Sequence, residues 1–215
     1  MRTSPIILLA CTALLALTTA NSGENGGANR EIGRTTEKEL KVSLSSAFGT
    51  VLIGRGESGK ILIAEDMHKD PRITQTDDDG AAFHAQWDSS FVHPVREAVI
   101  TPDDGNRSMK EVMEAVTMRY NDDAFHRVIY TESHDEVANG QTRVPSEIAE
   151  GDPTGWYAQK RSTVGAALVL TSPGIPMIFQ GQEFLEAAWF HDDVPLDWAQ
   201  NQQFHGVVRL YRDLI

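Results

Sequence analysis

Three apolar runs that each end in polar, carboxylate-bearing residues constrain this chain more than any other feature of its sequence. Val128-Ile129-Tyr130 runs straight into Thr131-Glu132-Ser133-His134-Asp135-Glu136, and Asn139-Gly140 then turns the chain. Ile61-Leu62-Ile63-Ala64 ends in Glu65-Asp66, and Pro176-Met177-Ile178-Phe179 ends in Gln180-Gly181-Gln182-Glu183. Short apolar runs bounded by turn residues are the pattern of buried strands, and parallel α/β proteins place their chemistry where such strands end. The pattern predicts one shared site.

The segments between these runs have the spacing of helices. Strands are predicted over 61–64, 81–87, 128–132 and 177–179, with Asp77–Asp79 as a solvated turn. Helices are predicted over 89–100, 108–120, 156–170 and from 204 to 215; Met109, Val112, Met113 and Val116 form the apolar stripe of the second. Small residues in 156–170 predict close packing, and Ser172-Pro173-Gly174 reads as a sharp stop. Strands alternating with helices predict an α/β fold with a right-handed parallel array, roughly four β/α units spanning 60–215. Four such units make half of a (β/α)8 barrel.

Composition narrows the partners. A formal charge of −12 argues against nucleic acid, which selects a basic face. One cysteine, Cys11, excludes an internal disulfide. The N-terminus differs in character: a basic head, an apolar run from Ile6 to Leu17 and a small-residue exit make 1–20 a signal-peptide candidate, too short to span a membrane. Export is the expectation, and a cytoplasmic location the alternative. Residues 21–59 read as a linker or unassigned segment, Gly/Asn/Ser-rich to residue 29, with a weak helix over 30–44 and a strand over 50–53. Gly54 to Lys60 matches the start of a phosphate-binding loop, but Ile61 stands where a hydroxyl is needed and a β-branched run follows in place of a helix. An exposed Gly-rich loop is expected there.

Together, Ile63-Ala64-Glu65-Asp66, Ala85-Gln86-Trp87-Asp88-Ser89, Glu132 to Gly140 and Phe179 to Phe184 resemble, in order and spacing, the second half of the catalytic barrel of the α-amylase superfamily, glycoside hydrolase family 13. Asp193 to Trp198 followed by His205 to Leu214 is most similar to 1,4-α-glucan branching enzymes within it. Residues 1–59 show no part of this resemblance.

Retaining cleavage of a glycosidic bond needs one carboxyl group to protonate the leaving oxygen and a second, about 5 Å away, to form the covalent sugar intermediate. Neighbouring negative charge and partial burial keep the first protonated near neutral pH, as Glu65 beside Asp66 would allow. The resemblance implies Glu65 as general acid/base, Asp135 as the carboxylate that favours the distorted, transition-state-like ring, and His134 as a hydrogen-bond partner of the same sugar. Trp87 and Glu183 are further candidate substrate contacts. No cofactor and no metal-ligand set is expected. Of Trp87, Trp156, Tyr157, Trp189 and Trp198, most are expected to be packing residues and the rest sugar platforms.

The family's nucleophile, an aspartate in a Gly-x-Arg-x-Asp strand, has no match, since residues 1–64 contain no aspartate. The expectation is a truncated branching-enzyme-like protein related to α-1,4-glucan chemistry and inactive alone. The alternatives are a non-catalytic carbohydrate-binding or interaction module and an enzyme completed by another chain, with exposed sheet edges available for self-association or complementation.

Overall fold

A computed structural model of the chain describes the backbone of residues 30–32, 42–46 and 49–53, and residues 61–215 apart from 78, 139, 140 and 192. The signal candidate, the Gly-rich linker and the Gly54–Lys60 loop lie outside the described residues. The described chain divides into two compact units, one drawing on residues up to Trp87 plus Tyr120–His126, the other on Asp88–Arg119 and Arg127–Ile215.

In the first unit, β1 (Arg30–Ile32), β2 (Val42–Ser46) and β3 (Gly49–Ile53) form a sheet ordered β1-β3-β2. This corrects the helix expected over 30–44. Val42-Ser43-Leu44-Ser45 alternates with the two-residue period of a strand, and Ser46 pairs with Gly49 so that β2 and β3 run antiparallel. The strand expected over 50–53 lies within β3.

The same unit holds β4 (Ile63–Ala64) and β5 (Ala85–Trp87), paired in parallel with Ile63 opposite Ala85 and Ala64 opposite Gln86. The ladder extends at its start through Leu62, whose carbonyl accepts from the His84 and Ala85 amides while its own N–H meets His84 Nδ1 at 3.0 Å. The second strand is shorter than the expected 81–87. The amides of Ala81 and Phe83 bond instead to Arg72 and Ile73, and Ala82 sits at φ 50° in the left-handed region, which breaks the extended run. Leu62 and Phe83 form the local core with Ile73, Ala64 and Ala81.

The second unit begins with α1 (Ser89–Ile100), capped by Asp88, whose carboxylate accepts from the Ser90 amide at 2.9 Å. Phe91, Val92, Val95, Arg96 and Val99 make its buried face. Helix α2 (Met109–Thr117), capped by Ser108, buries Val112 and Ala115, while Met109 and Met113 face solvent. The expected stripe is therefore rotated. Strand β6 (Arg127–Ile129) is wholly buried, and its parallel partner β7 (Ile175–Pro176) aligns Val128 with Ile175. The last strand starts earlier than expected because Gly174, at φ 153°, lets the chain pass over Ile129; a Cβ there would lie 3.0 Å from Ile129 Cδ1.

Helix α5 (Trp156–Thr171), reached through the short α3 (His134–Val137) and α4 (Val144–Ile148), packs Gly165 against Val99 and Thr131. A Cβ at Gly165 would come within 3.4 Å of Val99 Cγ2, so the expected close approach is present. After α6 (Gln200–Gln203), α7 (His205–Leu214) closes a core of Ala166, Leu185, Phe204, Val207 and Tyr211. Phe91, Val95, Ala115, Ile129 and Val169 form the other core of this unit. The fold class is α/β: parallel strands flanked by helices, part of a (β/α)8 barrel that does not close. No described helix is long and apolar enough to cross a membrane.

Candidate functional site

Each unit carries its candidate residues at the carboxyl end of a parallel strand. In the first, Glu65 follows Ala64 directly, and the β4–β5 register puts it level with Trp87. Glu65 is half-buried, whereas Trp87 is enclosed with 4% of its surface exposed. Asp66 turns aside: its carboxylate accepts from the His68 amide at 3.2 Å and lies 2.9 Å from His68 Nδ1.

In the second unit, the chain leaving β6 stays buried through Tyr130, Thr131, Glu132 and Ser133 before surfacing at His134 and Asp135. Ser133 caps α3, accepting from the Asp135 amide at 3.2 Å and donating to the buried Glu136 carboxylate. This Ser-x-x-Glu spacing is a helix-start signature legible in the sequence. It turns the next two side chains outward. His134 Nε2 lies 3.2 Å from Asp135 Oδ1, and the two side chains keep 48% and 57% of their exposure. Adjacent, polar and accessible, they can hydrogen-bond a hydroxylated ligand.

Glu183 sits in a single 3-10 turn, Gln182–Phe184, between Gly181 and Leu185, both in the left-handed region. Its Oε2 is buried without a hydrogen-bond partner, so this carboxylate faces inward. The charges of Glu132 and Glu183, after the larger effect of burial, push the Tyr211 hydroxyl of α7 upward.

Sequence reasoning missed the groups that hold this edge together. Glu132 is enclosed, with Arg143 at 3.3 Å and the Val144 amide donating at 2.7 Å. Burial pushes its carboxyl above the usual range, and Arg143 and the Val144 N–H only partly oppose this. Arg143 also donates to the carbonyls of Gln180 and Ala188, and its guanidinium lies 5.0 Å from the Phe179 ring centroid. Arg96 reaches from α1 to the carbonyls of Thr131, Glu136 and Thr142. The available signal was an arginine within the apolar spacing of 89–100, Val95-Arg96; nothing in Gln141-Thr142-Arg143-Val144 marked Arg143.

The aromatic residues divide differently from the expectation of mostly packing roles. Trp156 and Tyr157 are 65% and 69% exposed in edge-to-face contact at the start of α5, and Trp189 and Trp198 are exposed as well. Only Trp87 of the five is buried.

No family model matches the chain. It is 29% identical over 160 residues to the 1,4-alpha-glucan branching enzyme GlgB of Cutibacterium acnes, a match covering 73% of this chain and 24% of that protein. To the 1,4-alpha-glucan branching enzyme GlgB of Paramagnetospirillum magneticum it is 27% identical over 168 residues, covering 76% of this chain and 22% of that protein. The matched part thus spans about a quarter of the length of these relatives. Among solved structures, pullulanase type I from Bacillus subtilis str. 168, complexed with maltose, superposes with a TM-score of 0.50 at 18% identity, over 74% of this chain and 26% of that one. The chain therefore shares the fold of part of that pullulanase and has a distant sequence similarity to 1,4-α-glucan branching enzymes.

Proposed function

We propose that this chain contacts α-1,4-glucan through His134 and Asp135 and, by itself, does not cleave it. The observation that carries this reading is the exposed His134–Asp135 pair, set beyond a buried strand on a capped turn, where a sugar's hydroxyls have both a carboxylate and an imidazole within reach. The distant similarity to branching enzymes supports glucan as the sugar, with a transfer reaction that retains anomeric configuration as the related chemistry. In that chemistry Asp135 grips the ring and favours its distorted form, and Glu65 is the general acid/base. The related family supplies its nucleophile as an aspartate in a Gly-x-Arg-x-Asp strand, and residues 1–64 contain no aspartate to match it.

Affinity electrophoresis through gels containing amylopectin or glycogen tests the binding claim. The unmodified chain is expected to be retarded, with retardation reduced about tenfold in apparent affinity by Asp135→Asn or His134→Ala, the scale of a lost charge-assisted hydrogen bond. Equal mobility with and without glucan contradicts the proposal. Activity appearing only on addition of a second polypeptide would instead favour an enzyme completed by another chain.

A further inference from the structure

We infer that Arg96 is a positioning residue for the His134–Asp135 pair, an assignment that rests on the glucan-contact reading above. Arg96 belongs to α1, and its side chain is buried. Its Nη1 donates to the Thr131 carbonyl at 2.9 Å, and its Nη2 to those of Thr142 at 2.6 Å and Glu136 at 3.4 Å. The Glu147 carboxylate lies 3.2 Å from the same Nη2. Thr131 precedes the exposed pair, Glu136 follows it in the same turn, and Thr142 closes the excursion before α4. One guanidinium therefore ties both ends of the segment, and its middle, to a single point on α1.

An aliphatic side chain could fill space there without bringing a charge out of water. What the guanidinium adds is a planar fork of donors, aimed at main-chain oxygens that would otherwise lack these partners. Glu132 and Arg143 brace the same segment from the other side, through the Val144 amide and the Gln180 carbonyl. The exposed turn is thus short, capped and held from within. Such support keeps two solvent-facing side chains in one relative orientation, which a ligand would otherwise have to impose at its own cost.

The test compares the unmodified chain with Arg96→Met, Arg96→Lys and Asp135→Asn. Maltoheptaose affinity is read by calorimetry, and the His134 imidazole resonance by NMR on histidine-labelled protein, with His205 as an internal reference. Arg96→Met is expected to unfold cooperatively yet bind maltoheptaose about tenfold more weakly, with His134 broadened or split and His205 unchanged. Arg96→Lys, a single point charge that cannot satisfy all three carbonyls, is expected to fall between the two. A His134 resonance and an affinity unchanged in Arg96→Met overturn the assignment. Should Arg96→Met fail to fold, the same two readings unchanged in Arg96→Lys overturn it. Where the unmodified chain binds no maltoheptaose, the glucan reading falls, and the His134 resonance alone decides the role of Arg96.

Discussion

At Glu132 two opposed influences act on one carboxyl group. Burial removes it from water and favours the neutral acid; Arg143 and the Val144 amide favour the anion, and burial prevails. A carboxyl held above its ordinary value of 4.5 contributes stability that is complete below that pH and is lost as the pH rises through its folded value. Denaturant unfolding measured from pH 4.5 upward should therefore show stability falling more steeply in the unmodified chain than in Glu132→Gln. A parallel dependence in the two proteins would refute this. Arg127 offers a separate test, because it and Asp88 are fully enclosed at 3.0 Å. Its Nη atoms also donate to the carbonyls of Ala115, Val116 and Pro173. Arg127→Met takes the guanidinium away from the buried Asp88 carboxylate and from three main-chain carbonyls, and a loss of about 3–5 kcal/mol is expected in the same unfolding assay.

Among the elements, the turn after β7 shows what backbone geometry requires. Gly181 has φ 88°, and a Cβ there would lie 2.7 Å from Glu186 Cβ, so Gly181→Ala meets both strain and a clash. Gly206 in α7 has nothing within 4 Å, and alanine there removes only the conformational freedom of glycine. Thermal unfolding should place Gly181→Ala at least about 2 kcal/mol below the unmodified chain and Gly206→Ala about 0.5–1 kcal/mol above it. The same contrast explains what was legible in the sequence. Helices α1, α5 and α7 follow from caps, stops and apolar spacing that act locally, and all three lie close to their expected limits. Strand limits depend on partners distant in sequence. Extension of β5 was cut short by hydrogen bonds from the Ala81 and Phe83 amides to the 71–73 turn, and Gly174 moved the start of β7, effects that no run of apolar residues records. For α2, spacing gave the helix, but Ala115 took the inward position expected of Met113.

Across the whole molecule, the carboxylate-tipped runs foretold parallel strands and helices, and the α/β fold follows that pattern. His134 and Asp135 were identifiable as candidates from residue type and register; their support by Arg96, Glu132 and Arg143 was not, because buried ion pairs join residues far apart in the chain. The exposure of Trp156, Tyr157, Trp189 and Trp198 was also unreadable, since apolar content does not say which aromatic side chains the fold covers. If, as proposed, the chain alone contacts glucan without cleaving it, amylose incubated with it should keep its iodine colour and gain no reducing ends; loss of colour or new reducing ends would contradict that part of the proposal. The most direct test of the central claim is a crystal of the chain grown with maltoheptaose. The account predicts glucose hydroxyls within hydrogen-bond distance of both His134 and Asp135; a sugar seated only elsewhere, for example on Trp156 and Tyr157, would contradict it.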